Sequence, residues 1–77
     1  MSSDDRNPLK QWALELKAKL IPPVSADKLF VEMVHNDAPE ITEYFHGYKV
    51  PKNPEERQRL DDRLHLLQYI ATQVVVN

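Results

Sequence analysis

Apolar positions along this chain recur at steps of three and four residues, the period of a helix face rather than the alternation of a strand. Leu9, Trp12, Ala13, Leu16 and Leu20 form one stripe, and Leu14, Ala18 and Ile21 form a second, well around the same cylinder. Together they predict a first helix over 8–21 that is covered on two sides. Asn7 before Pro8 reads as an N-cap followed by proline at the first helical position, where the missing N–H breaks no bond. Pro22 and Pro23 end the run, because a residue before proline avoids helical angles.

A second helix is predicted over 25–36, with Ser25 as its cap and Val24 stapled onto Leu29. Its apolar arc is Ala26, Leu29, Phe30, Met33 and Val34, and Asn36 ends it. A third, over 38–46, starts at Asp37 with Glu40 three residues later, the spacing of a capping box. Ile41, Tyr44 and Phe45 supply its buried side, and Gly47 closes it in the left-handed conformation that glycine adopts without strain. Asn53, Pro54 and Glu56 repeat the start signal for a fourth helix over 54–74. There Leu60, Leu64, Leu67, Ala71 and Val74 follow the heptad steps of a helix-pairing seam, which Ile70 and Val75 broaden. The terminal VVVN has three routes open: fraying, continuing the helix, or pairing with another chain. The expectation is an all-α fold, a small four-helix bundle of two longer and two short helices. It forms a single domain over 8–77 behind a disordered polar tail, 1–7.

Composition adds a demand that this fold must meet. A chain of 77 residues buries only about 60–65% of its unfolded surface, so its core is marginal unless something supplements it. There is no cysteine, which removes disulfides and thiolate metal sites. Regular helix packing and self-association remain. The second stripe of the first helix, Leu14, Ala18 and Ile21, is the surface expected to carry a homo-oligomer contact.

The net charge of −2 is too close to balance to argue for a polyanion partner, but the charges are unevenly spread. Residues 25–47 carry five carboxylates against Lys28, a net −4; residues 48–59 carry four basic side chains against two acids, a net +2. The basic segment lies within HGYKVPKNPEERQRL, residues 46–60, which also holds the only glycine. Its first half must run extended between two helices, which leaves its side chains free to meet a ligand. Tyr48, Lys49, Lys52 and Arg57 are the candidate contact residues.

Several chemistries lack their residues. A phosphate-cradling loop needs more than one glycine. Nucleophilic catalysis needs a hydroxyl or thiol beside a base, yet Ser2 and Ser3 lie in the tail and Ser25 is used as a cap. His35, His46 and His65 fall on three different helices with no i, i+4 pair to chelate a metal. Glu55 and Arg59 form a favourable i, i+4 pair, worth a few tenths of a kcal/mol. The second and third helices resemble a helix-turn-helix in outline, but the would-be recognition helix exposes Glu40 and Glu43, which phosphates repel, and offers no arginine to base edges. Lys10, Lys17 and Lys19 leave room for a modest anion-binding surface together with the connector. No enzyme activity, cofactor or metal is expected.

Two stretches carry slight resemblances, each spanning under a quarter of the chain. LFVEMVHNDAPEITEYF resembles the helix-turn-helix-like region of the small theta accessory subunit of bacterial replicative polymerase, where a proline–glutamate pair likewise precedes an aromatic pair. Residues 45–60, with Phe45, Pro51, Pro54 and Leu60 in order, are similar to the hairpin entry of small phage proteins that sequester cyclic-nucleotide signals. The functional expectation is a non-enzymatic helical interaction protein that self-associates and binds or inhibits a larger macromolecule, as a regulator, accessory subunit or phage-type inhibitor of a host factor does. The alternative is a protein that binds or sequesters a nucleotide or cyclic nucleotide through the 46–53 connector. No stretch reaches the roughly 18 apolar residues of a membrane span, and MSSDDRN lacks the order of a secretory signal. A cytoplasmic location is therefore expected, with a protein partner and without DNA or membrane.

Overall fold

The chain is all-α. The computed structural model describes residues 7–76 and contains α1 (Pro8–Lys19), α2 (Ala26–His35), α3 (Pro39–Phe45) and α4 (Pro54–Val76), with no strand among the described residues. The expected tail, apart from Asn7, lies outside them, as does Asn77. No helix of the described residues is long and apolar enough to cross a membrane.

The caps explain most boundaries. Asn7 Oδ1 accepts the Leu9 N–H at 2.9 Å, Ser25 Oγ accepts the Lys28 N–H at 3.1 Å, and Asn53 Oδ1 accepts the Glu55 N–H at 2.8 Å. Each satisfies a donor that a helix start leaves orphaned. Helix α1 stops at Lys19, two residues before the predicted end. Leu20 is already extended (φ −90°, ψ 151°), because the pair of prolines biases the preceding backbone away from helical angles. At the end of α3, Gly47 has φ 79°. Its N–H bonds the Tyr44 carbonyl at 3.0 Å and the Tyr48 N–H bonds the Glu43 carbonyl at 2.9 Å. That is the paired arrangement of a Schellman motif.

Three local expectations are corrected. Asp37 does not cap α3: Ala38 is the N-cap, without a side-chain bond, and Pro39 takes the first position. Arg63, 26 residues away, holds both Asp37 oxygens at 2.8 and 2.9 Å, and this charge-assisted fork displaces the weaker local cap. Glu56 likewise closes no capping box; its carboxylate bonds Arg59. Arg59 is thereby taken up by Glu56 and by Glu40, the latter at 3.0 Å, rather than by Glu55.

Helices α1, α2 and α4 pack against one another, and α3 packs on α2 and α4. Leu9 and Trp12 share a depression with Arg63, while Lys17 Nζ donates to the Val74 carbonyl at 2.9 Å. Helices α1 and α4 therefore run in the same direction. Lys17 also brings positive charge to an α4 end that has no basic residue in its own last turn, where the helix dipole favours it.

The centre of the core is α2 against α4. Leu29, Met33, Val34 and Leu67 are wholly enclosed, with Ile41, Leu60, Ile70, Ala71 and Val74 around them. The seam predicted for α4 is thus its buried face, and the terminal valines continue α4 to Val76. Helix α1 contributes less than its stripe implied: only Ala13 is buried, and Leu9, Trp12, Leu16 and Leu20 are half-buried against the cluster. Phe45 is also less covered than predicted, 37% exposed, with its ring edge-on to Phe30 at 5.6 Å. The molecule measures 39 × 30 × 17 Å. The short axis is that of a flat arrangement, and exposed apolar residues such as Leu14, Leu66 and Tyr69 lie on open helix faces.

Candidate functional site

The connector leaves α3 at Gly47 and reaches α4 at Asn53 without regular structure, because the glycine ends one helix and Pro51 and Pro54 exclude another until the Asn53 cap. Its side chains do not converge. Tyr48, 79% exposed, and Lys49 line a depression of about 540 Å³ with Val50, Pro51, Leu60 and three carboxylates, Glu40, Glu43 and Glu56. Lys49 Nζ lies 3.8 Å from Glu43 Oε2, a solvent-screened pairing of little strength. Lys52 is exposed elsewhere on the connector. Arg57 lies in a separate hollow with Pro54, Gln58 and Asp61. Of the four sequence-derived contact residues, only Tyr48 and Lys49 share a site, and carboxylates outnumber cations around it. Arg59 engages Glu40 and Glu56 and Lys49 lies near Glu43, so the carboxylates are largely paired and the depression offers phosphate no unpaired cluster of cations.

Arg59 bonds both Glu56 and Glu40, and these bonds strengthen its hold on its proton. The Glu56 carboxyl is held below the usual carboxylate range, chiefly by Arg59. Asp37 is lowered too, first by its hydrogen bonds from Arg63. Tyr44 donates its hydroxyl to Asp61 Oδ1 at 2.6 Å, and that bond raises the pKa of the phenol. Apart from Glu56–Arg59, which lies within α4, these arrangements tie α4 to α3 or to the segment before it, so they frame the surface rather than supply a free reactive group.

A second cluster sits where α2 and α3 both end. His35, the last residue of α2, and His46, the C-cap of α3, bring their Nε2 atoms to 2.9 Å, one ring donating to the other. The turn at Asn36–Ala38 folds α3 back across the end of α2, and the Thr42 hydroxyl fixes it there by donating to the Val34 carbonyl at 2.7 Å. Phe45 and Tyr48 pack on the His46 ring with centroids 5.3 and 5.9 Å away. Sequence spacing missed this pair because a search for imidazoles on one helix does not see two helix ends; the usable signal was a histidine at the end of each of two consecutive helices. His65 is exposed on α4. Among the described residues no three His, Cys, Asp or Glu side chains gather around a metal-sized space.

The third feature is the second stripe predicted for the first helix, of which Leu14 and Ala18 lie on α1 while Ile21 falls in the irregular connection beyond its end at Lys19. Leu14 is 39% and Ile21 80% exposed, and Ala18 between them is exposed as well. Neither α2 nor the C-terminal valines fold over it. Helix α4 adds Leu66, Tyr69 and Val76 to the exposed apolar residues. No protein-family model, curated protein or solved structure matches the chain.

Proposed function

We propose that the chain is a non-enzymatic interaction protein, a small four-helix bundle that self-associates and binds or blocks a larger macromolecular partner as a regulator, accessory subunit or inhibitor does. The observation that carries this reading is the apolar stripe Leu14–Ala18–Ile21, which stays open to water in the folded protomer. Leu14 and Ala18 on α1, with Ile21 in the connection just past its end, leave exposed apolar side chains that a partner can cover. Cyclic or twofold packing is the common outcome for a patch of this kind. Tyr48, Lys49, Lys52 and Arg57 then serve as polar and aromatic contacts to the larger partner, with Tyr48 the best placed, since exposed tyrosines are enriched at interfaces. The nucleotide-binding alternative loses support from Glu40, Glu43 and Glu56 around the connector depression.

Two measurements test the proposal together. Analytical ultracentrifugation of the chain between about 5 and 100 µM, the range of a specific micromolar interface, should show a concentration-dependent oligomer. A thermal-shift panel of nucleotides and cyclic nucleotides should leave the melting temperature unchanged. A strictly monomeric chain that a nucleotide stabilises would replace this reading with the ligand-binding one.

A further inference from the structure

We propose that His35 and His46 form a two-imidazole site for a divalent transition-metal ion, copper(II) being the best fit. The inference stands apart from the self-association reading and rests on how the two helix ends present their rings. Two imidazole nitrogens each about 2.0–2.1 Å from a metal stand about 2.9 Å apart when they subtend a right angle, and about 3.4 Å apart at the tetrahedral angle. The two Nε2 atoms are 2.9 Å apart as hydrogen-bonded, near enough for modest ring rotation to bring both onto one ion, and copper(II) and nickel(II) prefer the right-angle arrangement. The Nε2 atoms face each other across one N–H···N bond. A cation needs both lone pairs, so the donating ring changes tautomer, its proton passing through water from Nε2 to Nδ1, and the rings turn until both Nε2 atoms point at the metal.

Both side chains are exposed, so the ion enters without opening the core, and turning the His46 ring shifts only its surface packing with Phe45 and Tyr48. Each histidine sits at the end of a helix that its own cap anchors. Asn36 Nδ2 donates to the Glu32 carbonyl at 2.8 Å beside His35, and the Gly47 turn secures His46. The carboxyl ends of α2 and α3 both face this corner, and helix C-termini favour positive charge. Two protein ligands leave the other coordination positions to water. Imidazole ligands bind copper(II) more tightly than zinc(II) at an otherwise equal site.

The experiment titrates the full untagged chain with CuCl2 and, separately, ZnCl2 by calorimetry in a non-chelating buffer, and records the electron paramagnetic resonance spectrum of the copper form. The expected result is one copper per chain, superhyperfine splitting from two imidazole nitrogens, and weaker zinc binding. His35→Gln and His46→Gln should each weaken copper binding by about tenfold or more, since even losing a group that merely orients a ligand typically lowers metal affinity by that much. His65→Gln, on α4, should leave it unchanged. Circular dichroism will show whether the variants stay folded, as exposed substitutions should. Failure of the chain to bind one copper saturably, or copper binding undiminished in both His35→Gln and His46→Gln, overturns the proposal.

Discussion

Gly47 shows how much one residue settles at the end of α3. At φ 79° a side chain is strained against its own backbone, by about 1–2 kcal/mol. A Cβ placed there meets no atom within 4 Å, so backbone strain is the whole penalty and neighbouring packing adds nothing. Gly47→Ala should therefore lower stability by about 1 kcal/mol, read as a shift of the urea midpoint with an unchanged slope, and Gly47→Asn should lose less because asparagine tolerates this conformation. Asp37 makes a second test at this scale. Its folded pKa is depressed, first by the hydrogen bonds from Arg63, so the ionised form favours the fold. That contribution is complete above the ordinary aspartate value of about 3.9 and is lost as pH falls from there through the lower folded value. Replacing Asp37 with asparagine should remove about 1–2 kcal/mol at neutral pH, a figure reduced for the part-exposed guanidinium. It should also flatten the fall in stability that sets in as pH drops below about 4. Equal acid sensitivity in both proteins would show that the Arg63 fork contributes nothing.

At the scale of elements, the caps at Asn7, Ser25, Gly47 and Asn53 were legible because each is local: a side chain bonding the backbone two or three residues on, or, at Gly47, a left-handed backbone bonding back to the preceding turn. Asp37 was misread for the opposite reason: its partner Arg63 is 26 residues away, and no local pattern announces that a capping residue has a stronger bond elsewhere. The apolar stripes named the buried faces of α2 and α4 correctly, yet could not say that α2 rather than α1 lies along the centre of α4. That choice depends on how three amphipathic rods share one thin layer. Of the candidate site, the exposure of Tyr48 and of the α1 stripe followed from the sequence, whereas the imidazole pair and the carboxylates beside Lys49 depend on the return of α3 across α2. The connector supplies its own prediction. Lys49 makes only a long, exposed pairing with Glu43, so converting Lys49 and Lys52 together to alanine should shift the melting temperature by no more than about 2 °C. On the proposed function, the same variant weakens partner capture. A large loss of stability with unchanged capture would contradict a binding role for the two lysines.

The whole molecule brings the energetics of association into view. Burying a leucine or isoleucine side chain completely is worth about 1.5–3 kcal/mol. Ile21 is 80% and Leu14 39% exposed, so the stripe retains about 2–3.5 kcal/mol per protomer that is still available. Two protomers together then offer about 4–7 kcal/mol, against an association cost of at least 4 kcal/mol. The stripe alone makes a weak dimer. A stable one must also cover apolar residues of α4 such as Leu66 and Tyr69, 41% and 60% exposed. Changing Leu14 and Ile21 together to glutamate tests this directly. Because both side chains already meet water, the double variant should keep its helical circular dichroism and melt within a few degrees of the parent, while sedimenting as a monomer. Tyr69→Glu should weaken the oligomer by itself if α4 shares the contact. An unfolded double variant would mean that the stripe belongs to the internal core, and a parent chain that sediments as a monomer at about 100 µM would dispose of the self-association proposal altogether.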